Sequence, residues 1–487
     1  MMIISERKPR MDTIYTTNTL DWEALMQGEY VELNAMLEAK ERRVWLQQEL
    51  LRKYPCPVLS FSMNIAGPVK NNPLILRAFT FGLEAVHAQL YRIRAKILEE
   101  HVIREITGNE AFLAIELDPF VLKKLVSEIE EQESAGRLFD MDVLYLDHGE
   151  VVKVDRSEIG LAERSCLICG APGRNCASRR VHSVAELQKK TAEILDAYVR
   201  AEDARKIAEY AVRAMLYEVS NTPKPGLVDR VNNGSHDDMD FYTFLNSSAS
   251  LHPYFLKCAQ TGQNTAFAEA PDTFDLLRDP GKQAERHMFS ATKGINTHKG
   301  AIFTLGILTA AAGRLSVRSL YPGEQADHHD SSAVLNECRA MTRDLITRDF
   351  AGITRENAVT AGQRLYAEYG ITGVRGQMSD GLPAVADYGL PVLKKMLTSG
   401  KTPDEAGVAA LLSILAHTTD TNMIHRSSLE TLKEEKEKLM HILQEDPCPD
   451  RNTLDKLDEH YIENHLSPGG SADLLAASWF VYFLENE

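Results

Sequence analysis

The chain has 487 residues, 44% of them hydrophobic, and carries a formal net charge of −16 at pH 7. That length makes more than one domain the expectation, and the acidic balance argues against a general nucleic-acid binder, which would need clustered Lys and Arg. The opening MMIISERKPRMD, with candidate starts at Met1 and Met11, has no apolar core suited to a signal peptide, and the longest apolar run, 301–312, is too short for a bilayer. A cytoplasmic protein with local basic pockets for small or acidic ligands is expected, with no nucleic-acid or membrane partner. Seven cysteines in so long a chain do not make a disulfide framework.

Residues 23–54 are rich in Leu, Glu, Lys, Arg and Gln at helical spacing, which predicts one or two helices before Pro55. VLSFSMNI at 58–65 predicts a strand; AGPVKNNP then leads into a helix over 74–93 and presents Lys70 where a helix N-terminus favours phosphate. Strands at 101–106 and 111–117 flank Thr107-Gly108-Asn109-Glu110, which has hairpin chemistry. An acidic helix over 118–133 is followed by a strand over 138–146 that turns back at Asp147-His148-Gly149-Glu150. On that strand Asp140 and Asp142 project to one side, and Phe139, Met141 and Val143 to the other. Adjacent carboxylates repel, and nucleotidyl transfer uses Mg²⁺ to relieve that repulsion while bridging to phosphates. Arg137 would meet a leaving pyrophosphate. Two acids on a solvated strand face are the plainer alternative.

The next segment spaces Cys166-x2-Cys169-x6-Cys176-x5-His182, a donor set sufficient for tetrahedral Zn²⁺. Reduced thiols near a phosphate-binding basic loop (Arg164, Arg174, Arg179, Arg180) would also fit. Residues 58–187 resemble the apo-citrate lyase phosphoribosyl-dephospho-CoA transferases, also called holo-citrate lyase synthases. The resemblance lies in SFSMNIAGPVK, GRLFDMDV, and RSCLIC with Cys176 and His182 after it. It implies transfer of phosphoribosyl-dephospho-CoA from a triphosphate precursor to a serine of the apo-acyl carrier protein (gamma chain) of citrate lyase, releasing pyrophosphate.

Residues 184–218 are almost all helix-forming with no Pro or Gly, so no flexible linker is expected, and the boundary is placed near 201–204. Beyond it the pattern predicts an all-α domain. TPKPGLVDRVNNGSHDDMD at 222–240 reads as a rigid loop: Pro223 and Pro225 fix φ, Gly226 and Gly234 allow turns, and Lys224, Asp229, His236, Asp237 and Asp238 carry the chemistry. AIFTLGILTAAAGRL at 301–315 predicts a central buried helix, approached closely at Gly306 and Gly313, with His298 and Lys299 at its anion-attracting N-terminus. Later loops offer Arg375 between glycines, then Asp420, Asn422 and Arg426, and finally Ser471 as an N-cap with Asp473 in the first helical turn.

TPKPGLVD, GSHDDM, NTHKG, YGITGVRG, DTN and LSPGGSADLL, in that order over 204–484, resemble triphosphoribosyl-dephospho-CoA synthase. Ser427-Ser428 and Gln377 depart from its usual Gly-Gly and Glu. The resemblance implies synthesis of the precursor from ATP and 3′-dephospho-CoA, with adenine released. Breaking the adenine–ribose bond requires an acid for the leaving base and a carboxylate for the attacking hydroxyl. Asp229 and Asp238 are candidates for metal binding or base, and His236 for acid or ligand; Lys224, Lys299 and Arg375 would grip the triphosphate with Mg²⁺. The expected architecture is an α+β nucleotidyltransferase-type domain (1–200) followed by an all-α domain (201–487). The rivals are the same chemistry serving the malonate decarboxylase carrier, and a zinc-stabilised helical scaffold.

Overall fold

The computed structural model describes residues 21–324 and 326–486; Met1 and Met11 lie outside the described residues. The chain forms two compact units, one running to Glu202 and including the segment from Ser319, the other comprising Asp203–Arg318 and the chain from Ala326 onward.

The first unit is built on an antiparallel sheet with strand order β2-β3-β1-β4-β5: β1 Val58–Met63, β2 Lys96–Glu105, β3 Gly108–Glu116, β4 Phe139–Asp147 and β5 Glu150–Lys153. The hairpin is tighter than the sequence suggested. β2 begins at Lys96 and pairs as far as Glu105 with Gly108, because Gly108, at φ 126°, takes a backbone conformation that side chains oppose. In the register of β1 with β4, Leu59 is opposite Val143 and Phe61 opposite Met141. These side chains enter a core in which Phe61 stacks on Phe79 of the helix Pro73–Arg92, with ring centroids 4.9 Å apart. The alternate pairs Ser60 with Asp142 and Ser62 with Asp140 fall on the opposite face. At one end of that face Leu46 and Leu50 of the helix Leu33–Lys53 pack on Val58, Phe112 and Leu144. Alternation along β4 therefore separates a buried apolar side from a partly open acidic one.

The helix Val184–Ser220 supplies Leu195 and Val199 to the first core and Ala204, Ile207 and Ala211 to the second. From there the described elements are helices, ending with Gly469–Asn486. The helix Lys299–Arg318 lies at the centre of the second unit. A Cβ at Gly313 would stand 2.3 Å from the Ala259 carbonyl oxygen, and one at Gly306 would stand 2.1 Å from the Tyr254 hydroxyl, so both glycines are what let neighbours approach. This helix extends beyond the apolar run in the sequence and is long and apolar enough to cross a membrane, yet 89% of its apolar window is buried inside the protein.

Candidate active sites

In the first unit a cavity of about 1260 Å³ is lined by Asp140 and Asp142, and by Arg137, Lys123, Lys153, Arg156, Arg164 and Arg180 among others. Burial, followed by the adjacent Asp142, pushes the Asp140 carboxyl up. Asp142 is paired with Lys153 at 2.6 Å. Two carboxylates in one cavity, one with its proton affinity raised by the other, fit a hard divalent cation. Arg137 donates to the Ser165 carbonyl, and its Nε is buried with no hydrogen-bond partner. Arg164 donates to the Phe139 carbonyl at 2.7 Å and to that of Gly136 at 2.5 Å, which ties the loop after β5 to the root of β4. Buried Lys123 donates to the Met141 carbonyl at 2.7 Å, and burial pulls its ammonium down. Lys70 donates to the Ile65 carbonyl at 2.6 Å and is not among the lining residues. Cys166, Cys176 and His182 do line the cavity, whereas the side chain of Arg174 is outside the described residues.

In the second unit the loop after Ser220 is held by its own polar groups. Asp229 is buried and accepts from Thr222 Oγ1 (2.7 Å) and from the N–H groups of Lys224 (3.0 Å), Val231 (2.7 Å) and Asn232 (3.1 Å). Its acceptors are spent on shaping the loop. Gly226 and Gly234 have φ of 69° and 55°, and a Cβ at Gly226 would stand 2.2 Å from the Leu466 carbonyl oxygen. His236 meets Ser467 Oγ at 2.9 Å and the Arg426 guanidinium at 3.1 Å; burial, then Arg426, pulls its pKa down. Asp238 is mostly exposed, 3.8 Å from His236. Asp240 caps the helix Phe241–Ser250.

Lys224 is turned inward: its side chain is 1% exposed and its ammonium is paired with Glu218. Burial pushes Glu218 up while that ammonium opposes it, and Asp229 also acts on it. Around this pair stand two more acids. Asp420 is buried and accepts the Ser471 N–H at 2.7 Å and hydroxyl at 2.9 Å, so Ser471 is a donor inside the helix Gly469–Asn486 and not its N-cap. Asp473 packs over Gly300, where a Cβ would meet its Oδ2 at 1.8 Å, and accepts from the Ala301 backbone. The helix N-terminus expected to attract anions is thus already covered by an acidic side chain. Burial, with Glu218 and Asp420 nearby, pushes Asp473 well above the usual carboxylate range. His298 is 3% exposed, with Nδ1 2.7 Å from Ser247 Oγ and Nε2 buried without a partner; burial and Lys224 pull it down to about 3.

Lys299 pairs with Glu285 at 3.0 Å, and Arg375 pairs with Asp349 at 3.0 Å between Phe303 and Phe350. Asn422 lies against Gly469. The departures from the family pattern have local work: Ser428 caps the helix Leu429–Glu445, and Gln377 accepts the Ala384 N–H at 3.1 Å. Glu218 escaped the sequence reading because it lies in a helix-forming run. An acid near a helix C-terminus, against the helix dipole, was the available signal.

A family model described as apo-citrate lyase phosphoribosyl-dephospho-CoA transferase (CitX) matches residues 31–198, and one described as ATP:dephospho-CoA triphosphoribosyl transferase (CitG) matches residues 204–487. The chain is 33% identical over 467 residues to protein CitXG of Haemophilus influenzae, covering 93% of this chain and 96% of the relative. It is 30% identical over 468 residues to protein CitXG of Leuconostoc mesenteroides subsp. cremoris, covering 93% and 97%. The chain belongs to the CitXG family. It is a bifunctional transferase of citrate lyase prosthetic-group synthesis, and this membership does not favour malonate decarboxylase. The CitG half is also 38% identical over 287 residues to a probable 2-(5''-triphosphoribosyl)-3'-dephosphocoenzyme-A synthase of Streptococcus pyogenes, covering 58% of this chain and 97% of that one.

Proposed function

We propose that the CitX half, as a nucleotidyltransferase-type domain in the cytosol, attaches the prosthetic group in the cavity beneath Asp140 and Asp142, and that the CitG half makes its precursor around Lys224, Asp473 and His298. The observation that carries the first assignment is the convergence of both aspartates with a basic lining in one cavity. Asp140 and Asp142 would hold Mg²⁺, which supplies charge neutralisation at the phosphates when bound. Arg137, with an unused buried donor, takes the departing pyrophosphate, and Arg164 keeps the adjoining loop against β4. The carrier serine enters as the attacking hydroxyl on the precursor's innermost phosphorus, its proton passing to solvent as the bond to pyrophosphate breaks.

In the CitG half, adenine leaves from ATP as the 2′-hydroxyl of 3′-dephospho-CoA attacks the ribose carbon: the new C–O bond replaces the C–N bond to adenine, and the hydroxyl's proton passes to solvent. A buried carboxyl with raised proton affinity is suited to protonate the leaving base, and Asp473, raised by burial and by Glu218 and Asp420 nearby, is our candidate. Neutral His298 offers Nε2 to the substrate as a hydrogen-bonding partner. Asp229 and Asp420 set the loop and helix that carry these groups. Mass spectrometry of the apo-acyl carrier protein (gamma chain) after incubation with enzyme, ATP, 3′-dephospho-CoA and Mg²⁺ tests the assignment. The expected result is one phosphoribosyl-dephospho-CoA addition per carrier with free adenine formed alongside. Equal modification of a malonate decarboxylase carrier would overturn the citrate lyase preference, and adenine formation without 3′-dephospho-CoA would overturn the coupled displacement.

A further inference from the structure

We infer that Cys166, Cys169, Cys176 and His182 bind a structural Zn²⁺ ion that fixes one wall of the transfer cavity. One donor atom from each of the four lies within 4.8 Å of every other, and this is the sole such group of three or more His, Cys, Asp or Glu residues found among the described residues. Zn–S bonds of about 2.3 Å in a tetrahedron place sulfurs about 3.8 Å apart. The Cys169 and Cys176 sulfurs are 3.4 Å apart, close to that edge and far from the roughly 2.05 Å of a disulfide.

The backbone is shaped for the same purpose. Cys166 and Cys169 form a knuckle closed by the Gly170 N–H on the Cys166 carbonyl at 3.2 Å, with Gly170 left-handed at φ 73°. The Ile168 N–H points at the Cys166 sulfur from 3.5 Å, a donor that favours thiolate. Ser165 and Pro172 bridge across the knuckle, the helix Gly173–Arg179 supplies Cys176, and the chain then returns with His182. The Nε2 of His182 is buried and has no hydrogen-bond partner.

The segment has no packed core of its own. From 155 to 190 no residue whose burial is described is buried, so hydrophobic packing does not hold its shape. A metal cross-link of four protein ligands replaces such a core and leaves no open coordination position for catalysis. What it secures is specific: Arg164 and Ser165 stand immediately before the first ligand, and they make the contacts to Phe139, Gly136 and Arg137 at the base of β4.

The metal site stands on the ligand geometry and on the missing core of the segment, whereas its effect on the cavity rests on the transferase reading above. The test is elemental analysis of the full chain purified without added metal, with the expected content about one zinc per chain. Replacement by Co²⁺ should give intense thiolate-to-metal charge-transfer absorption and tetrahedral visible bands. Cys169→Ser should lose the metal, and Cys56→Ser should keep it. Carrier labelling by Cys169→Ser should fall about tenfold or more while adenine release is unchanged. Zinc-free protein whose four side chains react as free thiols and imidazole, or with Cys169 and Cys176 disulfide-linked, would overturn the inference without touching the transferase reading. Zinc present but no carrier labelling by wild-type enzyme would overturn the transferase reading and leave the metal site standing.

Discussion

Replacing Lys224 by Met tests whether this lysine holds the CitG fold together or serves mainly to grip phosphate. Its ammonium and the Glu218 carboxylate are both nearly inaccessible, with side-chain exposures of 1% and 6%. Removing one member of such a pair leaves an uncompensated buried charge, which costs about 3 to 5 kcal/mol. With a urea dependence of about 2 to 3 kcal/mol per molar, the unfolding midpoint should fall by about 1 to 2.5 M. Trp479 is the reporter, since its indole N–H donates to Asn221 at 3.0 Å beside the loop; Trp22 and Trp45, the chain's other tryptophans, would be changed to Phe. Adding Glu218→Gln should restore most of the loss, because the pair is then removed whole. The pH dependence carries a sign of its own. Burial raises Glu218, and without Lys224 it rises further, so the variant's stability is present at low pH and lost as pH rises through the folded pKa. Lys224→Met should therefore be relatively more stable near pH 5 than near pH 8. An unchanged midpoint at pH 8, or a double variant no better than the single one, would refute the reasoning.

Asp140→Asn should abolish carrier labelling in the mass-spectrometric assay while adenine release continues, and undiminished labelling would remove Asp140 from the transfer site. Asp473→Asn should lower kcat for adenine release by about 10²-fold or more at all pH values, with carrier labelling from supplied precursor intact. His298 is pulled from 6.5 to about 3 in the folded protein, so the unfolded chain takes up its proton first as pH falls. Wild type should then lose up to about 1.4 kcal/mol per pH unit below 6.5 relative to His298→Gln, and parallel urea midpoints for the two proteins would contradict this.

The strands of the first unit were legible because alternation in VLSFSMNI and FDMDV sorts side chains to two faces. The start of β2 was not, since KILEE has too few apolar positions to show a period. In the second unit, loop composition marked where polar groups gather but not how they are used. Asp229 looks like a ligand in sequence, yet its donors are the Thr222 hydroxyl and backbone N–H groups a few residues away, which no composition reveals. Asp473 read as helix-start chemistry for its own helix, whereas its carboxylate sits at the start of another. Glu218 needed the inward turn of Lys224 to become visible. The cysteine spacing left both thiols and a metal open, and it could not show that the four donor atoms lie within 4.8 Å of one another.

The helix Val184–Ser220 has an implication for anyone dividing this enzyme into halves. Because one continuous helix feeds both cores, no loop there can be severed harmlessly. A cut just before Ala201 would give the downstream fragment a new helix start bearing Glu202 and Asp203, acids that suit an exposed amide end. The upstream fragment would instead finish on the turn that carries Val199, with its last carbonyls bare. Dissection should thus be lopsided, yielding a self-sufficient synthase more readily than a self-sufficient carrier-modifying piece.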